Sequence, residues 1–347
     1  MENRPSAARV IISYGINSNG IRTRTLLMKM KDAAFSRWRF HLPLLAALLF
    51  LNSCGKRADP APKAPVIPAF EFLGAWGEKG DGPGQLDEPV TFATDALNRV
   101  FFVDPASGFV HKFESNGTPL LSFQDTRVRR AAGIAVDSGG AIYVADAQRG
   151  SVLIFFPDGT FLHAMQSAPQ PHFSGPMGIS VDRDGNVYMP DPTRSRVIKF
   201  DSRGRSVKSW TAPKNPAPDE RPSSVATAQD GSVFVAFFKT GRIEKYSADG
   251  IWAASWMASD SASPESHSIS GFTVGVGYVF AMTPTPLQIH VWTLDGQHKI
   301  DGDLAEHLGT IVSPQIAITP HAELLLFDPS APRVFRYQMH LDTKEQK

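Results

Sequence analysis

Cysteine is nearly absent from this sequence, which contains one, Cys54, among 347 residues. Covalent attachment of a c-type haem uses a pair of cysteines, so a haem bound in that way is excluded. The apolar stretch at residues 42–53 is too short to cross a bilayer as an ordinary transmembrane helix. No Gly-x-Ser-x-Gly nucleophile elbow occurs either. No catalytic residue is therefore assigned from a motif.

An excess of basic residues is also missing once the first 54 residues are set aside. That segment holds 8 of the 35 lysines and arginines and 2 of the 34 aspartates and glutamates, which leaves 27 basic against 32 acidic side chains, or −5. Nucleic-acid binding uses a basic surface that contacts phosphates. The charge balance therefore argues against a nucleic-acid partner.

A repeat of about 45 residues runs through residues 70–341. One position, here called the slot, follows a short apolar run in each copy and is occupied by Asp104, Asp146, Asp191, Phe237, Thr283 and Asp328. Nine residues after each slot comes an aromatic residue: Phe113, Phe155, Phe200, Tyr246, Trp292 or Tyr337. Thirteen residues after the slot the first five copies have Gly117, Gly159, Gly204, Gly250 and Gly296, and the sixth has Leu341.

This period and its residue types predict a β-propeller. The apolar runs are rich in Val, Ile, Phe and Tyr and are separated by turn-forming clusters such as Asp184-Gly-Asn. In that copy we predict strands at residues 179–182, 186–191, 196–201 and 206–211. One blade cannot bury both of its faces, so the copies must pack around an axis. The chain is thus predicted to be all-β, with six four-stranded antiparallel blades, although the eroded fifth copy leaves a five-bladed count open.

The sixth copy ends before an outer strand, and an unpartnered outer strand stands at the start of the repeats. Residues 70–76 place Trp76 where other copies have Phe123, Met165, Trp210 and Trp256. We therefore predict that residues 70–76 pair with the last blade. This pairing would close the ring and remove an exposed sheet edge.

These repeats resemble the NHL-repeat family of propellers. The resemblance covers residues 70–340 and rests on the loop from Trp76 to Leu86 with Pro89, and on the pieces Gly133-Ile-Ala-Val-Asp and Ile142-Tyr-Val-Ala-Asp. It implies a six-bladed propeller, in a family that includes lactonases and an amidating lyase whose channel histidines bind zinc. Here only His172 and His267 lie in comparable loops, so a third zinc ligand cannot be named.

The recurring slot aspartates raise the question of calcium. Carboxylates at Asp104, Asp146, Asp191 and Asp328 could face a channel and bind that ion. A carboxylate at the end of a strand also accepts hydrogen bonds from the backbone of the next turn, and a repeated position favours this structural role. We therefore expect no cofactor, with calcium as the alternative.

The N-terminal region resembles a bacterial lipoprotein signal peptide. Lys29, Lys31, Arg37 and Arg39 precede the apolar stretch, which ends at Leu51-Asn-Ser-Cys54, similar to a lipobox. In a lipobox the cysteine becomes the lipid-modified first residue of the mature protein. Gly55, rather than aspartate, follows it, which by resemblance to Gram-negative lipoproteins suggests the outer membrane.

These signals divide the chain into five parts. We predict a disordered or mis-called extension at residues 1–27, a signal peptide at 28–53, a tether rich in Pro and Ala at 54–69, the propeller at 70–341 and a tail at 342–347. The protein is therefore expected to be exported and anchored in the cell envelope.

One face of the predicted propeller is formed by the loops before the inner strands and the loops after the slots. Its candidate ligand residues are Arg129, Arg130, Arg149, His172, Arg194, Arg221, Lys239 and His267. A basic arc would suit an anionic ligand or an acidic protein, whereas isolated solvated charges are the alternative.

The sequence thus predicts a lipid-anchored, non-enzymatic binding or scaffold module for an envelope protein or polysaccharide. The alternative is a metal-dependent hydrolase or lyase with its site in the central channel, so enzymatic activity stays an open question. The sequence does not predict the oligomeric state.

Overall fold

The computed structural model describes residues 10–16, 22–28, 69–146, 151–166, 178–215, 220–258, 268–308, 311 and 314–341. The chain divides into two units, Met1–Pro65 and Val66–Lys347. No helix within the described ranges is both long enough and apolar enough to cross a membrane.

The first unit contains an antiparallel pair of strands, Val10–Ile16 and Arg22–Met28. Val10 pairs with Met28 and Ile16 with Arg22. The first strand is rich in β-branched residues, which favour an extended backbone. The structure therefore has a strand pair between residues 10 and 28. The disordered or mis-called extension at residues 1–27 stays a prediction.

The second unit consists of six four-stranded antiparallel sheets arranged as the blades of a propeller. From the inner to the outer strand, blades one to three are formed by Thr91–Thr94, Val100–Asp104, Phe109–Phe113 and Pro119–Gln124; Ala131–Val136, Ile142–Asp146, Ser151–Phe155 and Phe161–Gln166; and Ser180–Val181, Val187–Asp191, Arg196–Phe200 and Ser206–Thr211. The described helical segments of this unit are short: Thr126–Arg130, Pro192–Arg194 and Ala305–Leu308.

The remaining three blades include the fifth, whose copy of the repeat is eroded in the sequence. Blades four to six are formed by Ser224–Thr227, Val233–Phe237, Arg242–Tyr246 and Trp252–Met257; Gly271–Gly275, Tyr278–Pro284, Leu287–Thr293 and His298–Asp303; and Gln315–Ile318, Glu323–Asp328, Arg333–Met339 and Phe70–Trp76. The eroded fifth copy forms a complete blade. The predicted six-bladed, all-β fold is confirmed.

The ring closes as the sequence predicted. The strand Phe70–Trp76 pairs with the third strand of blade six, with Trp76 opposite Val334 and Phe70 opposite Met339. Residues from the start and the end of the propeller region therefore share one sheet. This pairing leaves no outer strand missing and confirms the closure.

The aromatic residues nine positions after the slots fill the space between neighbouring blades. All six side chains are at most 4% exposed. Phe113 of blade one packs on Trp76 of blade six with ring centroids 5.0 Å apart, and Tyr246 of blade four packs on Trp210 of blade three at 5.8 Å. Each such contact buries large apolar surfaces from two blades, which explains why the position is aromatic in every copy.

Candidate functional site

The strand order of each blade brings two sets of loops to one face of the ring. In a four-stranded antiparallel meander, the loop before the inner strand and the loop between the second and third strands open on the same side. Contacts confirm this arrangement, because Arg129 Nη1 donates to the Ala106 carbonyl at 2.9 Å and Arg221 Nη1 to the Pro192 carbonyl at 2.8 Å. We call this side the upper face.

The slot aspartates hold the backbone of the upper-face loops. Asp104 is buried, and its Oδ2 accepts hydrogen bonds from the amides of Asp87 at 2.8 Å and Glu88 at 3.1 Å. Asp328 is buried too and accepts a bond from the Ser330 amide at 2.9 Å. These bonds fix the loop conformations, which is a structural use of a carboxylate at the end of a strand. Calcium binding by the slot aspartates stays a prediction.

Asp191 links a slot to one of the candidate ligand residues. Its carboxylate accepts a hydrogen bond from the Arg194 amide at 3.2 Å and from Arg196 Nε at 2.9 Å. Arg194 Nη1 lies 3.5 Å from the same carboxylate. The side chain of Arg194 is therefore held at the rim of blade three by a buried acid.

Five of the eight predicted ligand residues lie within the described ranges, and all five side chains are exposed on the upper face: Arg129, Arg130, Arg194, Arg221 and Lys239. The contact of Arg221 with Pro192 brings it to the loop that contains Arg194. Within the described ranges Arg130 and Lys239 form no ion pair. Arg149, His172 and His267 lie outside the described residues.

The central channel encloses a cavity of about 570 Å³. Inner strands from all six blades line it with backbone, apolar side chains and a few hydroxyl or amide groups, among them Ser180, Thr227, Thr273 and Gln315. The described lining contains no aspartate, glutamate, histidine, lysine, arginine or cysteine. General acid–base catalysis and metal ligation use those side chains. The described wall therefore supplies neither.

Some of the hydroxyl groups in the channel wall brace neighbouring blades. The Ser180 and Thr227 hydroxyl oxygens lie 2.8 Å apart, and the Thr227 amide donates to Ser180 Oγ at 3.0 Å. Thr94 Oγ1 donates to the Ile318 carbonyl at 2.7 Å across the junction of blades one and six. These polar groups stabilise the ring where inner strands approach one another.

Blade four replaces the slot aspartate with Phe237 and carries a buried ionic network instead. Arg242 Nη2 lies 2.9 Å from Glu220 Oε2 and 3.5 Å from Glu244 Oε1, and both glutamates are buried. The Tyr246 hydroxyl donates to Glu244. Burial, together with this hydrogen bond, raises the pKa of the Tyr246 phenol. The network gives Arg242 two acidic partners in a blade that lacks the slot carboxylate.

Blade five contains the one group of three metal-ligating side chains found within the described residues: His290, His298 and Asp301. Nδ1 of His290 lies 2.6 Å from Asp301 Oδ1, and Nε2 of His298 lies 2.8 Å from the same oxygen. Burial of the Asp301 carboxyl raises its pKa, but hydrogen bonds to the two imidazoles outweigh burial and leave the pKa below its ordinary value.

This group is not repeated in the other copies, so comparing the repeats does not reveal it. His290 and Asp301 are directly opposite each other in one hairpin, so their contact follows from strand register rather than from an equivalent position in another blade. The usable signal was local: two histidines eight residues apart across a turn, followed three residues later by an aspartate.

Blade one has a histidine at the position of His290, with different neighbours. His111 is buried, and its Nδ1 lies 2.9 Å from Ser122 Oγ. Burial lowers the pKa of His111 to about 4, although the Asp104 carboxylate opposes this effect. His111 is therefore a neutral core residue at neutral pH.

Comparison with known proteins supports the fold. No family model matches the sequence, and no curated protein matches it. A streptogramin B lyase structure matches with a TM-score of 0.56 and 15% identity, over 79% of this chain and 90% of that chain. A catalytically inactive virginiamycin B lyase from Staphylococcus aureus with quinupristin matches with a TM-score of 0.54 and 12% identity, over 79% and 90% of the two chains.

A third solved structure is of a different kind. The Cps50 (Swd1) β-propeller domain of Myceliophteria thermophila matches with a TM-score of 0.54 and 10% identity, over 78% of this chain and all 100% of that chain. At such identities these proteins share the propeller fold with this chain, and the likeness carries no activity. The NHL-repeat resemblance stays an interpretation of the sequence.

Proposed function

We propose that this chain is a non-enzymatic, lipid-anchored module of the bacterial cell envelope, which binds an anionic surface polymer or an acidic protein through its upper face. One contrast carries the proposal. The described wall of the central channel has no ionisable side chain, whereas five exposed cations lie on the upper-face loops. Rigid blades that present exposed cations on their loops are suited to binding anionic groups.

Hydrogen bonds hold the side chains of Arg129 and Arg221 in conformations that favour anion binding. Each guanidinium donates to a loop carbonyl on the upper face. A guanidinium has five N–H donors, so one or two such bonds fix the side chain and leave other donors for a carboxylate, sulfate or phosphate group. A side chain that is already ordered loses less conformational entropy when a ligand binds.

The proposed location comes from the N-terminal sequence. Cys54 would carry the lipid, and the tether at residues 54–69 would connect the membrane surface to the propeller. A stretch of 16 residues rich in proline reaches about 50 Å when it is extended. This length would allow the propeller to contact a partner at a distance from the surface of the outer membrane.

The alternative function is a hydrolase or lyase with a metal in the channel. Three of the similar solved structures are described as lyases, and one of them is described with quinupristin. Their low identity to this chain supports the fold alone, and the described channel wall offers no acid, base or metal ligand. We therefore expect quinupristin to keep both its mass and its chromatographic retention after incubation with this protein. A new peak of unchanged mass would favour a lyase that opens a ring by elimination, and the gain of one water would favour a hydrolase.

Affinity capture from the detergent-solubilised envelope, with the intact lipoprotein, tests the proposal. One variant removes three upper-face charges by Arg130→Ala, Arg221→Ala and Lys239→Ala. A control removes three charges from the opposite face by Arg183→Ala, Arg203→Ala and Arg205→Ala, all of them exposed. We expect the first variant to lose the partner recovered by the wild type and the control to retain it. Equal recovery by all three proteins would contradict the proposal.

A further inference from the structure

The hairpin between the third and outer strands of blade five brings three metal-ligating side chains to one place. His290 lies opposite Asp301, and Trp292 lies opposite His298. The register shifts between Val291 and Trp292, which breaks the strict alternation of the two strands. His298 and Asp301, three residues apart, can therefore turn toward the same point.

We propose that His290, His298 and Asp301 form a zinc site on the outer part of blade five, separate from the channel and from the upper-face cations. Two imidazole nitrogens and one carboxylate oxygen are donors that zinc accepts, at about 2.0–2.2 Å from the ion. Their ligand atoms already lie within 4.8 Å of one another. Three protein ligands leave a fourth position for water or for a group from a bound partner.

The three side chains differ in exposure in a way that suits metal binding. Tetrahedral coordination at these bond lengths places ligand atoms roughly 3.3 Å apart, whereas the nitrogen-to-oxygen distances here are 2.6 and 2.8 Å. His290 is held with 9% of its side chain exposed, while His298 and Asp301 are 52% and 48% exposed. The two exposed side chains can open by half an ångström while His290 stays in position.

A neighbouring hydroxyl group orients the buried ligand. Nε2 of His290 lies 3.1 Å from Thr283 Oγ1, which itself lies 3.0 Å from the Pro286 carbonyl oxygen. When the Thr283 hydroxyl donates to this carbonyl, its oxygen accepts the Nε2 hydrogen of His290. Nδ1 can then present its lone pair to a metal ion, once the proton that it donates to Asp301 in the metal-free protein has left. A hydrogen bond on the far nitrogen is the usual way in which a metal-binding histidine is oriented.

Blade one shows that the repeat does not require this set of side chains. The positions of His290, His298 and Asp301 are occupied there by His111, Pro119 and Ser122. The buried histidine therefore has a counterpart elsewhere in the ring, whereas the two exposed ligands do not. Packing of the blade accounts for a buried histidine at this position, whereas it does not require the two exposed side chains.

Zinc titration of the full chain tests the site. The metal-free protein is titrated in competition with a chromophoric chelator, and we expect one zinc ion per chain. Asp301→Asn and His298→Ala should each weaken binding at least about tenfold, since loss of an outer-shell partner alone has that effect. His340→Ala is the control, because His340 forms a separate pair with Glu71 at 3.1 Å, and its affinity should match that of the wild type.

Cobalt substitution supplies a second readout. Cobalt bound by nitrogen and oxygen should give d–d absorption without a thiolate charge-transfer band, whereas binding at Cys54 would give that band. Unfolding of the metal-free variants checks that they are folded, which we expect because both exposed side chains are changed without loss of core. Absence of zinc binding by the wild type, unchanged affinity in both ligand variants, or a thiolate band would each overturn the site.

Discussion

Gly117 of blade one lies against Trp76 of blade six so closely that a Cβ atom on the glycine would be 2.5 Å from Trp76 Cγ. The Trp76 indole Nε1 also donates to the Ser115 carbonyl at 2.9 Å. Trp76 belongs to the strand that completes blade six. The same strand therefore closes the ring and seats blade six on blade one.

The same contact recurs at four other blade junctions, where a glycine of one blade meets a large side chain of the preceding blade. The pairs are Gly159 with Phe123, Gly204 with Met165, Gly250 with Trp210 and Gly296 with Trp256, at 2.5–2.7 Å from the added Cβ. At the junction of blades five and six the positions of the small and the large residue are exchanged. Gly302 stands on the outer strand of blade five, against Phe70, and Leu341 takes the glycine position.

Alanine at Gly250 tests this junction, with Gly231 as the matched control. Both glycines have a positive φ, +72° and +85°, so both substitutions strain the backbone. Only at Gly250 does the new Cβ meet a neighbour, Trp210, whereas nothing lies within 4 Å at Gly231. In urea titrations we expect Gly250→Ala to lower the free energy of unfolding by about 1–3 kcal/mol more than Gly231→Ala. Equal losses of unfolding free energy in the two variants would show that the close approach of Trp210 does not constrain residue 250.

The ionic network of blade four predicts a large penalty when its cation is removed. Arg242→Met would leave the buried carboxylates of Glu220 and Glu244 without their guanidinium, at a cost of about 3–5 kcal/mol. Arg205→Met removes an arginine that is 69% exposed and pairs with Asp201, so it should cost about 1 kcal/mol or less. Equilibrium unfolding at neutral pH gives both values. Similar losses of unfolding free energy in the two variants would show that the buried carboxylates of Glu220 and Glu244 do not depend on the guanidinium of Arg242.

His111 predicts a specific dependence of stability on pH. Its pKa is about 4 in the folded protein against an ordinary 6.5, so the unfolded chain takes up the proton first as the pH falls. Stability is therefore lost between pH 6.5 and pH 4, by about 2–3 kcal/mol from this group.

The variant His111→Gln isolates that contribution. Its free energy of unfolding should fall less steeply over this pH range than that of the wild type, while His163→Gln, on the outer strand of blade two, should follow the wild type. Parallel curves for the wild type and His111→Gln would show that the histidine is not buried in its neutral form.

The proposed lipid anchor depends on one sulfur atom. Cys54→Ser in the full chain should move the protein from the membrane pellet to the soluble envelope fraction, because a serine hydroxyl is not the thiol that carries the lipid. Lys63→Ala, in the same tether, should leave the protein in the pellet. Immunoblots of fractionated cells give the result, and a Cys54→Ser protein that stays in the pellet after a high-salt wash would argue against the anchor.

The ring was predictable from the sequence because the repeated residues are themselves the packing contacts. The repeated aromatic residues Phe113, Phe155, Tyr246 and Trp292 each pack on an aromatic residue in the outer strand of the preceding blade. The glycines from Gly117 to Gly296 lie against residues of the same outer strands. Closure by residues 70–76 was predictable for the same reason. Trp76 has the position of an outer-strand residue, but no inner strands precede it in the sequence to form its blade.

Local departures from the repeat were not predictable by comparing copies. In blade four Phe237 occupies the slot in place of an aspartate. Arg242 pairs with Glu220 of the preceding loop. His290 and Asp301 contact each other because of the hairpin register, and Thr283, which occupies the slot of blade five, contacts the same histidine. The five described upper-face cations lie in loops, and loop sequences alone do not indicate which of them bond to neighbouring carbonyls.

Direct binding of polyanions tests the proposed role of the upper face. The probes are fluorescent heparin, for an anionic polymer, and fluorescent poly-L-glutamate, for an acidic protein surface, with anisotropy measured at low ionic strength. We predict that the wild type binds at least one of them and that the upper-face variant at Arg130, Arg221 and Lys239 binds it about tenfold more weakly. The variant at Arg183, Arg203 and Arg205 should bind like the wild type. Equal dissociation constants for the two variants, or no binding by the wild type, would contradict the account.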